Sequence, residues 1–93
     1  MLFIDELEIT DEILDKIEGK HDVLFYEVEE VVFSEARHIR RGREGLYQVF
    51  GQTDDGRYLF VVLADHGDGV WAVVTARQMT EREKGLYRSV RRS

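Results

Sequence analysis

The sequence predicts a single α+β domain in which two N-terminal helices and one C-terminal helix cover a four-stranded antiparallel sheet. In the first third of the chain, apolar residues recur at the spacing of a helix. Short strand-like segments, the first polar and the later ones largely apolar, then occupy residues 37–76 between turn residues, and a well-marked helix start follows them. This order of elements is typical of an α+β architecture. A length of 93 residues fits one domain spanning residues 1–93.

The first helix is predicted to begin after Thr10. Thr10 is a good N-cap residue and is followed by acidic residues that favour a helix N-terminus. Ile13, Leu14 and Ile17 then share one helical face, and Gly19 ends the helix.

A second helix is predicted to begin near Asp22. Its apolar residues recur at helical spacing, at Leu24, Val28, Val31 and Val32. Its β-branched residues make a strand the alternative. A strand would put glutamates and apolar residues on one face, so helix is favoured.

Four strands follow as a meander. They are predicted at residues 37–41, 46–50, 57–64 and 70–76, and the third is nearly all apolar, as a central strand buried on both faces would be. Glycines mark the turns at residues 42–45 and 66–69, while Asp55-Gly56 favours a two-residue hairpin turn.

An arginine stands where the last strand meets the last helix. Thr80 and Glu83 have the spacing of a capping box, so the helix start is clear and Arg77 is predicted to fall in the link before it. A planar guanidinium near the positive end of a helix suits a phosphate ligand. The alternative is an ion pair between Arg77 and Glu83 or a neighbouring carboxylate.

Charge is divided unevenly along the chain. Residues 1–35 carry 12 acidic and 2 basic side chains, whereas residues 36–93 carry 7 acidic and 11 basic ones, within a net charge of −6. This asymmetry indicates an acidic face beside an anion-binding face, or simply two acidic surface helices. The densest basic cluster contains Arg40, Arg41 and Arg43 near Tyr47, which could bind RNA or the acidic helices of another copy.

Several classes of protein are disfavoured. The chain has no cysteine, and its three histidines lack a metal-ligand spacing, so no metal site and no cofactor are expected. No stretch approaches the roughly 18 apolar residues of a membrane span, and the N-terminus lacks the basic region of a signal peptide. A cytoplasmic protein with no membrane partner is therefore predicted.

Three segments, in order, resemble the BrnT family of toxins. Lys20-His21-Asp22-Val23 with the Phe and Glu residues after it resembles the family's K-H-G-V-x-F-x-E segment, with Asp22 at the glycine position. The segment at residues 51–62 resembles its G-x-T…G-R-x-L-x-V-V strand pair. The segment at residues 75–87 resembles its S-A-R-x-A-T-x-x-E-x-x-x-Y ending. The match covers about residues 20–87.

The resemblance implies a RelE-like fold and a metal-independent ribonuclease toxin of a type II toxin–antitoxin pair. A BrnA-like antitoxin that binds DNA would inhibit it. The implied reaction is attack of the RNA 2′-OH on its own phosphate, which needs a base, a cation for the phosphate and an acid for the leaving oxygen.

Each candidate site residue has a structural alternative. Lys20 and His21 follow a helix stop, where a loop can present them for catalysis, although His21 is as well explained as a helix-end cap or a partly buried packing residue. Glu83 could be a general base, but its capping role already accounts for it. Arg57 could reach RNA or pair across strands, and Tyr87 could contact RNA or pack in the core.

A second function remains open. The same scaffold could serve as a non-catalytic interaction domain whose acidic helices bind a partner or form a homodimer.

Overall fold

A five-stranded mixed sheet with helices on both faces forms the domain. The computed structural model describes residues 3–92. The strands are β1 (Glu6–Glu8), β2 (His38–Arg41), β3 (Leu46–Gln52), β4 (Tyr58–Asp65) and β5 (Val70–Gln78), and the helices are α1 (Asp11–Gly19), α2 (Phe25–Val32) and α3 (Glu81–Arg92). The predicted α+β class and the three helices are confirmed.

The predicted four-stranded antiparallel sheet is wrong in one respect. The strand order is β1-β5-β4-β3-β2, so β2 to β5 form the expected antiparallel meander with β4 at the centre. A fifth strand, β1, precedes the first helix and pairs with β5 in parallel, with Leu7 opposite Trp71. A three-residue strand with two glutamates has almost no pattern of its own. Only its pairing with a segment some sixty residues later makes it a strand.

Both N-terminal helices form largely as predicted. The Thr10 hydroxyl accepts a hydrogen bond from the Ile13 N–H at 3.2 Å, which caps α1. α2 begins at Phe25, three residues later than expected. Asp22 has a positive φ of 55°, and the Val23 N–H still closes the end of α1 by donating to the Ile17 carbonyl.

The turn between β3 and β4 has three residues rather than the two that were predicted. The Gly56 N–H donates to the Thr53 carbonyl at 2.9 Å, and the Thr53 N–H donates to the Arg57 carbonyl at 2.8 Å. Gly56 has φ +90°, but Asp55 does not have the positive φ that a type I′ turn needs. A turn followed by a left-handed glycine is the next most common hairpin geometry.

Two apolar cores lie on opposite faces of the sheet. The larger core joins α1 and α2 to one face and includes Ile17, Val28, Val61 and Trp71. The smaller core joins α3 to one end of the other face and consists of Phe50, Phe60, Met79 and Tyr87. We call these faces the α1/α2 face and the α3 face.

A β-bulge in β5 changes which residues reach the α3 face. Val62 pairs with Thr75, but the next residue, Leu63, pairs with Val73, so Val74 is an extra residue in β5. Val73 and Ala76 are both buried in the larger core, which shows that the alternation shifts by one residue between them. Arg77 therefore lies on the α3 face, opposite Phe60.

Candidate nucleic-acid interface

Arg77 lies inside β5, not in the link before α3 where the sequence pattern predicted it. Its guanidinium packs over the Phe60 ring, 4.2 Å from the ring centroid. Its two terminal nitrogens donate to the two carboxylate oxygens of Glu83 at 2.8 and 3.0 Å. The ion pair that was the structural alternative for Arg77 is thus present. A third hydrogen bond, from Nη1 to the Gln78 carbonyl at 3.1 Å, fixes the guanidinium further.

Glu83 joins this ion pair to the start of α3. Its Oε1 accepts from the Thr80 N–H at 2.8 Å, and its own N–H donates to the Thr80 hydroxyl at 3.2 Å, so the predicted capping box is confirmed. The hydrogen bond from Arg77 lowers the pKa of Glu83, and the same bond raises the pKa of Arg77. A carboxylate with a lowered pKa is a weak proton acceptor, so this geometry suits Glu83 to holding Arg77 in place.

A cationic cluster on α3 continues the surface beside Arg77. Lys84 Nζ lies 5.8 Å and Arg88 Cζ lies 5.0 Å from the centroid of the Tyr58 ring, and Arg88 Nε donates to the Tyr58 hydroxyl at 3.4 Å. Tyr58 and Arg88 line a shallow surface depression, and Arg91 lines it as well. These residues were not among the candidates predicted from the sequence, although their spacing of i, i+4 and i+7 could have placed them on one helical face.

Tyr87 belongs to the smaller core. It is 4% exposed, and its hydroxyl donates to the Ala36 carbonyl at 2.9 Å. Burial raises the pKa of Tyr87. The phenol therefore links α3 to the segment before β2, and its contacts are those of a packing residue.

Arg57 and the Lys20-His21 loop lie on the α1/α2 face. Arg57 Nη1 donates to both carboxylate oxygens of the buried Glu27 at 2.7 and 2.8 Å, and its Nη2 donates to the Asp22 carbonyl at 2.9 Å. Lys20 and His21 directly precede Asp22 in the link between α1 and α2. Lys20 and His21 thus lie between the two helices of the α1/α2 face, whereas Arg77 lies on the α3 face.

The basic cluster near Tyr47 is divided between the two faces. Arg40 pairs with Gln48 on the α3 face. Arg41 pairs with Tyr47, its guanidinium lies 5.8 Å from the Tyr47 ring centroid, and that ring meets Trp71 edge-on on the α1/α2 face. Arg43 lies in a short 3₁₀ turn that follows β2.

One further pair joins β1 to the β4–β5 turn. His66 Nδ1 and Glu8 Oε1 are 2.6 Å apart, and both side chains are about half exposed. No sequence pattern predicted this pair, because β1 itself was not predicted.

Neither a metal cluster nor a membrane span is found in residues 3–92. No three His, Asp or Glu side chains in this part of the chain are grouped to hold a metal ion. No helix described there is both long and apolar enough to cross a membrane.

The architecture defines a small α+β domain with a cationic α3 face. The fold is that of the ribonuclease toxin BrnT from Brucella abortus, whose crystal structure aligns with a TM-score of 0.69 over 82% of this chain and 97% of the toxin chain. Sequence identity in this alignment is 12%. No protein-family model and no curated protein sequence matches the chain. The BrnT-like fold expected from the three sequence segments is therefore confirmed.

Proposed function

We propose that this protein is a metal-independent endoribonuclease toxin of a type II toxin–antitoxin pair, acting in the cytoplasm. The observation that carries the proposal is the shared fold, which extends over 97% of a ribonuclease toxin. The three sequence segments that resemble the BrnT family support it independently of the fold comparison.

In the proposed reaction an RNA 2′-oxygen attacks the adjacent phosphorus and the 5′-oxygen leaves. The products are a 2′,3′-cyclic phosphate and a 5′-hydroxyl end, and the proton lost by the 2′-OH is balanced by the proton gained by the leaving oxygen. Arg77 stabilises the negative charge on the pentacoordinate phosphate. Glu83 holds the Arg77 guanidinium in position. When RNA binds, Arg77 exchanges one of its two hydrogen bonds to Glu83 for a hydrogen bond to the phosphate.

The arrangement of charge supports RNA binding despite the net charge of −6. Lys84, Arg88 and Arg91 lie on α3, beside Arg77. The acidic residues of α1 and α2 lie in helices that pack on the opposite face of the sheet. A protein with such two-sided charge can attract a polyanion to one face while the other face repels it.

An antitoxin that covers the α3 face is part of the proposal. Leu86 and Val90 on α3 are 48% and 42% exposed, and they border a groove that His38 and Phe50 also line. Apolar side chains exposed beside a cationic surface are typical of a protein-binding site. A BrnA-like, DNA-binding antitoxin would bury them and block access to Arg77.

The test is RNA cleavage by the purified protein in the presence of a metal chelator. We expect cleavage by the wild type and a loss of about 100-fold or more in Arg77→Ala, which is the usual effect of removing a group that stabilises a transition-state anion. Arg82→Ala is the matched control because Arg82 is an exposed arginine on α3. His21→Ala is expected to retain cleavage, because His21 lies on the other side of the sheet.

The second candidate function is a non-catalytic interaction domain. One observation favours it: both terminal nitrogens of Arg77 are already engaged by Glu83. This function predicts that expression without a partner is tolerated and that Arg77→Ala and the wild type behave alike towards RNA. Growth arrest on expression of the wild type, relieved by a small neighbouring antitoxin gene, would contradict it.

A further inference from the structure

An open cavity lies on the α3 face of the sheet, beyond the part that α3 covers. Its volume is about 610 Å³, within the range of small-molecule sites. Leu46 and Val62 form an apolar floor, Gln48 supplies an amide, and Arg40 and Arg43 stand at the rim. Because Arg40 pairs with Gln48 and Gln48 pairs with Val62, these three side chains share one face of the sheet.

The two rim arginines have no ion-pair partner among the described residues. The acid that lines the described part of the cavity is Glu44, which is exposed and has a positive φ of 57° in the turn after β2. Arg41 also lines the cavity, but its guanidinium lies over Tyr47. Arg40 and Arg43 are therefore available to an anion, whereas Arg77 is held by Glu83.

We propose that this cavity binds one nucleotide of a single-stranded RNA, at a position separate from Arg77. Arg40 and Arg43 bind the phosphate, the base lies on Leu46 and Val62, and the Gln48 amide hydrogen-bonds to the edge of the base. The choice of RNA as ligand rests on the proposed function. Two cations suit the phosphate of a nucleotide, apolar side chains can contact the face of its base, and a neutral amide can hydrogen-bond to the edge of the base.

An acidic segment of another protein is a less suitable ligand for this site. A carboxylate would satisfy the arginines, but it would leave the apolar floor and the amide unused. A base is planar and has both a face to cover the floor and polar edges to meet the amide. The same sheet face carries Phe60 and Arg77, so one strand of RNA crossing it can occupy both places.

The test measures binding of a short single-stranded oligonucleotide whose 2′-hydroxyls are all methylated, so that it cannot be cleaved by transesterification. Fluorescence anisotropy is recorded over a series of salt concentrations. For Arg40→Ala/Arg43→Ala we expect about tenfold weaker binding, and a salt dependence whose slope falls by roughly 0.7 for each phosphate that the variant no longer binds. Lys16→Ala/Arg82→Ala is the control, since it also removes two positive charges but from exposed positions outside the cavity.

Gln48→Ala separates recognition of a base from simple charge attraction. We expect it to weaken binding of the oligonucleotide while leaving the salt dependence unchanged. We also expect an oligonucleotide without bases to bind the wild type and Gln48→Ala alike. Far-ultraviolet circular dichroism of each variant checks that the fold is retained.

Three results would overturn the inference: equal losses in the double variant and its control, no effect of Gln48→Ala, or loss of self-association in the double variant with oligonucleotide binding unchanged. The last result would mean that the arginines bind the acidic helices of another copy. Failure of the proposed ribonuclease function can be distinguished from failure of this binding site. A protein without ribonuclease activity can still bind the methylated oligonucleotide through Arg40 and Arg43.

Discussion

Replacing Arg57 by alanine is expected to destabilise the protein strongly, because it leaves a buried carboxylate without its counter-ion. The Glu27 side chain is 6% exposed and accepts two hydrogen bonds from Arg57. After the substitution Glu27 keeps the Leu24 N–H at 3.0 Å as its one remaining donor among residues 3–92. Arg57 also donates to the Asp22 carbonyl, so the substitution removes a hydrogen bond from the link between α1 and α2 as well.

Breaking a buried ion pair costs about 3–5 kcal/mol. Arg57 is 29% exposed, and water can partly replace it, so we expect a loss of about 3 kcal/mol in the free energy of unfolding. For a domain of this size that loss lowers the melting temperature by roughly 12–24 °C. Urea unfolding should show a midpoint lowered by roughly 2 M.

Two further variants make the test specific: Glu27→Gln and the double variant Glu27→Gln/Arg57→Ala. Glu27→Gln keeps the shape of the side chain and removes the buried charge, so Arg57→Ala should cost much less in a Glu27→Gln background than in the wild type. A loss below about 1 kcal/mol in Arg57→Ala, together with weakened RNA binding, would refute this reasoning. Arg57 would then be an RNA ligand rather than a structural residue.

Three other predictions concern α3 and the link between α1 and α2. Glu83→Gln should lower the free energy of unfolding by about 1 kcal/mol at neutral pH. The pKa of Glu83 is lowered in the folded protein, so the difference in the free energy of unfolding between wild type and variant is fully present above the unfolded pKa of about 4.3. This difference shrinks as the pH falls through the pKa of Glu83 in the folded protein. An equal difference at neutral and at strongly acidic pH, measured by urea unfolding, would contradict the prediction. Tyr87→Phe should cost about 1 kcal/mol by leaving the Ala36 carbonyl without its donor, and an unchanged melting temperature would argue against that bond. Asp22→Gly should raise the free energy of unfolding by roughly 0.5 kcal/mol, since glycine tolerates φ 55°, whereas a clear decrease would reveal a role for the carboxylate.

Much of the fold was predictable because its signals are local. The Thr10 cap, the Thr80–Glu83 capping box and the apolar run of β4 each depend on a few neighbouring residues. β1 was not predictable, because its three residues gain strand structure only by pairing with β5. The start of α2 was misplaced because Asp22 adopts a left-handed conformation that favours glycine but that aspartate can adopt.

The candidate site was harder to predict, because it depends on which face each side chain reaches. A strict alternation from Trp71 and Val73 would place Arg77 on the α1/α2 face, with Arg57 and the Lys20-His21 loop. The extra residue Val74 shifts the alternation of side chains by one position, so the Arg77 side chain lies on the α3 face. A single bulge, invisible in the sequence, thus places Arg77 on the opposite face of the sheet from the other candidate residues Arg57, Lys20 and His21.

The identity of the RNA ends after cleavage tests the central proposal most directly. The wild-type protein is incubated with a defined RNA in the presence of a chelator, and the product ends are determined by mass spectrometry. We predict a 2′,3′-cyclic phosphate and a 5′-hydroxyl, no cleavage at a single 2′-deoxy position placed at the cut site, and little product with Arg77→Ala. Intact RNA with folded wild-type protein, or equal cleavage by Arg77→Ala, would contradict the proposal.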